Sequence, residues 1–158
     1  MSGYSRVIDP RAIEPDTRST YPAHLQEPVR GRRKRRLGLQ AGLRKLSVVH
    51  VELPPGAASS LKVWQSHEDE YVLVLEGEAT LITDAGEEVL RSGQSAGFPA
   101  GQAIGHQIVN RSSVPLIFIE VGTIADENVS TYPDDDLLQV PDGRGRRFVR
   151  HDGTPFEA

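Results

Sequence analysis

The chain has no cysteine among its 158 residues. That absence excludes a disulfide framework, a thiolate nucleophile and any Cys-ligated zinc or iron–sulfur cluster. No apolar run approaches the ~20 residues of a membrane-spanning helix, and Met1 to Pro10 lacks the apolar stretch of a secretory signal. The expectation is a cytoplasmic protein with no membrane partner. Also missing are an internal repeat of fixed period, a low-complexity tract and a Gly-x-Ser-x-Gly nucleophile elbow. Combining His24, His50 or His151 with a serine and an aspartate into a hydrolase would therefore be arbitrary, and His50, within Val49-His50-Val51, reads as a satisfied or outward-facing strand histidine.

What the chain does have is turn formers: 15 Gly and 11 Pro, with 37% hydrophobic and 25% charged residues, describe a turn-rich globular protein of one domain plus arms. Residues 1–45, with Pro10, Pro15, Pro22 and Pro28, read as an extended N-terminal arm. Residues 46–123 change texture to short Val, Ile and Leu runs, each closed by a turn signal such as Pro54-Pro55-Gly56, Asp84-Ala85-Gly86 or Pro99-Ala100-Gly101. Antiparallel strands are predicted near Leu46 to Leu53, Ser60 to Gln65, Tyr71 to Glu78, Ala79 to Thr83, Glu87 to Leu90, Ser95 to Phe98, Gly105 to Asn110 and Leu116 to Val121. Short, evenly spaced strands favour a sandwich or barrel, because an open sheet would leave unprotected edges. Residues 124–158 form a tail that packs on the barrel or on a partner subunit.

Charge is unevenly distributed. Six of the seven residues from Arg30 to Arg36 are Arg or Lys, although the net charge is −4, so a basic arm is attached to an acidic body. Guanidinium clusters bind phosphate or nucleic acid. The acidic remainder repels a polyanion and no recognised nucleic-acid module accompanies the run, so no nucleic-acid partner is expected. The run reads as a charged edge that neutralises acidic groups of its own or a neighbouring subunit, and Asp134 to Asp136 as a solvated face.

Two stretches carry a family resemblance. Pro55-Gly56 through Ser66-His67-Glu68-Asp69-Glu70 to Leu75-Glu76-Gly77-Glu78 resembles the first motif of the cupin family. Gly93 through Pro99-Ala100-Gly101 to His106-Gln107-Ile108-Val109-Asn110 resembles the second. The resemblance implies an all-β fold, an antiparallel double-sheet jelly-roll barrel carrying the extended arms, and a homodimer. It also implies one divalent metal held by two histidines and a glutamate of the first motif and a histidine of the second. Glu70 and His106 match by residue type, but the two first-motif histidines fall on Val63 and Gln65.

That departure sets the functional expectation. A catalytic metal needs about three strong protein ligands. Val63 offers none, and the Gln65 carbonyl oxygen is a weak one. His67 shares the strand parity of Val63 and Gln65 and would restore the count if the strand had not turned by Ser66, so Gln65 and His67 are doubtful ligands beside Glu70 and His106. The leading expectation is a barrel that binds a small polar molecule in a cavity lined by Val63, Gln65, Glu70, Phe98 and His106, with its metal site degraded and no tightly bound cofactor. The alternative the resemblance implies is an enzyme, dependent on a divalent transition metal or a metal-free acid/base catalyst, such as a sugar-phosphate isomerase or epimerase, a dioxygenase or a decarboxylase. In that case Glu70 and His106 are the candidate acid/base pair.

Overall fold

The strand Leu46–Leu53 (β2) alternates inward Val49, Val51 and Leu53 with outward Val48, His50 and Glu52, the period-2 pattern of a sheet with one buried face. The computed structural model, which describes residue 4 and residues 6–156, extends that alternation into two facing sheets. A short strand Arg33–Arg36 (β1) runs into a single helical turn, Leu37–Gln40. Further along come Trp64–Gln65 (β3), Glu70–Glu76 (β4), Glu78–Thr83 (β5), Gly86–Arg91 (β6), Ser95–Phe98 (β7), His106–Val109 (β8) and Leu116–Thr123 (β9). The tail adds Ser130–Tyr132 (β10), Leu137–Pro141 (β11) and Arg146–Val149 (β12).

One sheet has the order β1-β2-β9-β4-β7, the opposing sheet β6-β5-β8, and a third β12-β11-β10-β3; all their pairings are antiparallel. Val51, Leu53, Val72, Val74, Leu81, Ile108, Leu116 and Phe118 fill the space between the first two sheets. Each such side chain contributes roughly 1.5–3 kcal/mol by leaving water. The chain crosses between the sheets at Gly77, with φ +84°, where an added Cβ would lie 2.7 Å from the Pro115 carbonyl oxygen. Only glycine fits that corner, and the β4/β9 register shift between Val74 and Glu76 lies beside it.

The structure departs from the sequence reading in three places. The N-terminal arm is not simply extended: it makes 3₁₀ turns at Pro10–Ala12, Ala23–Leu25 and Glu27–Val29, adds β1 to the edge of the large sheet, and buries Tyr21 and Val29. The tail builds three strands, and with the arm it forms a second apolar cluster of Tyr21, Val29, Leu61, Val63, Tyr132 and Leu137. Within the predicted strand Ser60 to Gln65 only Trp64–Gln65 pairs as a strand; before it the backbone meets β8 through isolated bridges, Ala58 to Val109 and Val63 to His106. No helix among the described residues is long and apolar enough to cross a membrane.

Candidate functional site

Parity places the central pair. Glu70 opens β4 on the face that continues as buried Val72 and Val74, and His106 opens β8 on the face that continues as buried Ile108. Their side chains meet from opposite sheets, with Glu70 Oε2 2.9 Å from His106 Nε2. The ring N–H does not point along that line: Glu70 Oε2 and His106 Nδ1 are both buried without a hydrogen-bond partner. Phe98, the register partner of Glu70 on β7, stacks on the imidazole with centroids 3.7 Å apart and planes within 4°. This stacking fixes the ring plane. Backbone bonds between Val63 and His106, 3.0 and 2.9 Å, hold the strand beneath it.

The other predicted site residues divide. Val63 is buried against the arm–tail cluster and offers no donor atom. Gln65 faces the site, but its Oε1 accepts from Asn128 Nδ2 at 2.8 Å and Ser130 Oγ at 2.7 Å. The amide orientation is determined by its neighbours: the His67 backbone N–H donates to Asn128 Oδ1 at 2.9 Å, so the Asn128 nitrogen must be the donor to Gln65. The Gln65 NH₂ is thus the group left for the cavity. His67 lies past the end of β3, exposed, with Nδ1 2.7 Å from Ser66 Oγ, and is not brought to Glu70. Among the described residues no group of three or more His, Cys, Asp or Glu side chains is placed to hold a metal ion.

Two cavities meet at this pair. The larger, about 650 Å³, lies between arm, barrel and tail and is bordered by Val63, Gln65, Glu70, Tyr21 and Tyr132. The smaller, about 420 Å³, is bordered by Phe98, His106, Gln65, Trp64, Leu81 and Leu90. Gln65 belongs to both, so a molecule in either cavity is within reach of the Glu70–His106 wall. Tyr21 and Tyr132 meet edge to face at 5.5 Å; burial raises both phenols above their ordinary range, Tyr132 the more strongly. Lys34 Nζ faces Glu120 at 3.8 Å, and burial pushes its ammonium below its usual range against the pull of that carboxylate.

The sequence pattern gave no hint of the arm residues that line the larger cavity, nor of Asn128 and Ser130. β1 has no apolar alternation to betray it, because one face looks onto a polar cavity and the other carries Arg33 and Arg35 against Glu52 and the Ile13 carbonyl. The basic run does pair with acids of its own chain: Arg30 with Glu27 at 2.6 Å, and Arg33 and Arg35 with Glu52 at 3.8 and 3.4 Å. His50 faces outward, half-buried, with its Nδ1 lacking a hydrogen-bond partner. Burial lowers its pKa, with Arg35 adding to the effect.

Two antiparallel sheets packed over an apolar core, with a glutamate and a histidine projecting toward each other from opposite sheets, define the small β-barrel class to which many binding proteins and enzymes belong. The family model described as "Cupin domain" matches residues 49–122. A solved structure of a sugar phosphate isomerase of the cupin superfamily from Silicibacter pomeroyi is 40% identical, covers 96% of this chain and 97% of its own, and superposes with a TM-score of 0.91. The chain belongs to the cupin superfamily. A proposed sugar phosphate isomerase from Acidithiobacillus ferrooxidans is 25% identical over 80% of this chain and 81% of its own, with a TM-score of 0.71. A polyketide cyclase from Streptomyces resistomycificus, 17% identical over 75% of this chain and 79% of its own with a TM-score of 0.61, shares the fold alone. Among curated proteins no sequence matches significantly.

Proposed function

We propose that this cupin binds a small polar carbonyl compound in its cavity and isomerises it by proton transfer through Glu70 and His106, without a resident metal. The observation that carries the reading is the 2.9 Å Glu70–His106 contact on the wall between two cavities, with a buried oxygen and a buried nitrogen still lacking hydrogen-bond partners. The 40% identical relative described as a sugar phosphate isomerase supports the same reaction class.

The residues present do not fit a divalent metal. Glu70 and His106 provide two strong donors, Val63 provides none, and the Gln65 oxygen already accepts two hydrogen bonds. About three basic ligands are needed. The chain's own groups suffice for a proton-transfer route. The Glu70 carboxylate removes the proton from the carbon next to the carbonyl, and the C–H electron pair becomes the C=C bond of an enediolate. The Gln65 NH₂ donates to the oxyanion so formed, in the manner of an oxyanion hole. His106 moves a proton between the two oxygens, and Glu70 returns its proton to the neighbouring carbon.

Proton NMR of the protein in D₂O with a panel of aldose and ketose phosphates tests this. Deuterium should enter the carbon next to the carbonyl, and a metal chelator should leave the rate unchanged. Absence of exchange across the panel, or exchange abolished by chelation, would overturn the proposal. As a companion test, Val63→His with Gln65→His should convert a chain that does not retain nickel or manganese through gel filtration into one that binds about one equivalent. Stoichiometric metal in the unmodified chain would count against the metal-free reading.

The homodimer is also a proposal. The outer face of the large sheet presents Val48, Tyr71, Leu73, Ile117, Ile119 and Val121, all partly exposed, an apolar surface that a second copy would cover through a two-fold axis. Sedimentation at micromolar concentration should give twice the 17.3 kDa chain mass. Ile119→Lys should shift the species to the monomer, and an unmodified chain that sediments as a monomer would refute the pairing.

A further inference from the structure

The alternation of β1 sorts the basic arm into two rows. Arg33 and Arg35 turn outward to Glu52, whereas Arg32, Lys34 and Arg36 border the 650 Å³ cavity. The acids of that cavity each lie near a basic or imidazole side chain. Asp16 holds Arg18 at 2.9 Å, Glu68 holds Arg146, Glu120 faces Lys34 and Glu70 faces His106. Arg32 and Arg36 have no carboxylate within 4.0 Å among the described residues, and Arg32 commits one nitrogen to the Ser59 carbonyl. The cavity lining therefore holds one more basic than acidic side chain, with Arg32 and Arg36 on either side of Lys34.

We propose that the inward row of the arm, Arg32, Lys34 and Arg36, is a phosphoryl-binding subsite that holds the anionic end of the ligand while its other end reaches Glu70 and His106. The second clause rests on the isomerase reading; the first stands on the charge arrangement alone. Inward side chains on a strand follow one another at about 7 Å, so a phosphoryl group seated at Lys34 lies between two guanidinium forks. Guanidinium offers paired N–H donors that match phosphate oxygens. The Lys34–Glu120 contact, 3.8 Å, is loose enough for an anion to compete for the ammonium.

The competing view is that the run only neutralises the acidic body, and the outward row supplies the control. Calorimetric titration with inorganic phosphate, a hexose 6-phosphate and the unphosphorylated hexose, at low salt, separates the two. Phosphate and hexose phosphate should bind with one site per chain, hexose phosphate the tighter, and hexose alone should give no heat. Arg36→Met, on an exposed residue with no hydrogen bond among the described residues, should weaken both by about tenfold or more, the loss of one charge-assisted hydrogen bond. Arg32→Met should do the same, and Arg33→Met should change affinity less than twofold. If Arg32→Met fails to fold because the Ser59 contact is lost, Arg36→Met and Lys34→Met decide the outcome. Equal weakening by Arg33→Met would reduce the effect to a diffuse field, and no phosphate binding at millimolar concentration would end the proposal. Phosphate binding without isotope exchange would refute the isomerase and keep the subsite; exchange without phosphate binding would do the reverse.

Discussion

Glu70→Gln should lower the rate of carbon-bound proton exchange, and His106→Ala the rate of aldose–ketose interconversion, each by about 100-fold or more, the usual contribution of a positioned acid or base. The fold should survive both. Glu70→Gln conserves volume and removes only the basic oxygen. His106→Ala removes a buried ring stacked on Phe98 and so costs some stability, but it leaves the apolar core between the sheets untouched. Because Glu70 acts on the reacting carbon and His106 on the oxygens beside it, the loss should fall on kcat with KM changed far less. Arg36→Met, acting at the anionic end, should instead raise KM. Full interconversion activity in His106→Ala, with the circular dichroism spectrum unchanged, would remove His106 from the mechanism.

Asn110→Ala should destabilise the protein by about 2–3 kcal/mol, which for a chain of this length lowers Tm by roughly 5–10 °C. Asn110 is fully buried. Its Nδ2 donates to the Leu53 carbonyl at 2.9 Å and the Val114 carbonyl at 2.7 Å, and its Oδ1 accepts from the Ser112 N–H and hydroxyl at 3.0 and 2.7 Å. One side chain thus ties the end of β8 to the end of β2 and to the turn entering β9. Removing it strands the Leu53 carbonyl in a place water does not reach, while Ser112 and Val114 can turn to solvent. Asn110→Asp, equal in size, should be no better than alanine, since it keeps the acceptor, loses both donors and introduces a charge. Thermal melts of the two variants decide the matter. An aspartate variant as stable as the parent would show that packing, not the donor pair, explains the residue.

The barrel was legible because its strands bury one face each. Leu46–Leu53 and Ser95–Phe98 appear at their predicted bounds, and the remaining barrel strands, apart from the stretch before Trp64, differ from prediction by one or two residues at their ends. Glu70 and His106 were legible because they stand in a recognisable motif spacing. β1 was not, since a strand of Arg and Lys beside a polar cavity has no hydrophobic period to read. The role of Gln65 was not legible either. Whether a glutamine offers its oxygen or its nitrogen depends on what holds the other end, and here that is Asn128 and Ser130, more than sixty residues away. Strand parity alone left His67 open as a ligand; the end of β3 at Gln65 and the Ser66 hydroxyl turn it elsewhere.

The bonds from Asn128 and Ser130 to Gln65 also constrain how this sequence can drift. Both donors are buried, at 0% and 2% exposure, and a histidine at position 65 would offer them at most one ring nitrogen in place of a carbonyl oxygen with two lone pairs. Such a step leaves a buried donor unpaired, at roughly 1–3 kcal/mol, before any compensating gain. Positions 65, 128 and 130 should therefore change as a set, and the Val63→His, Gln65→His double variant should melt below the parent until metal is added. Gln65 is thus tethered to the tail, so a lone step from glutamine to histidine there costs stability unless positions 128 and 130 change with it.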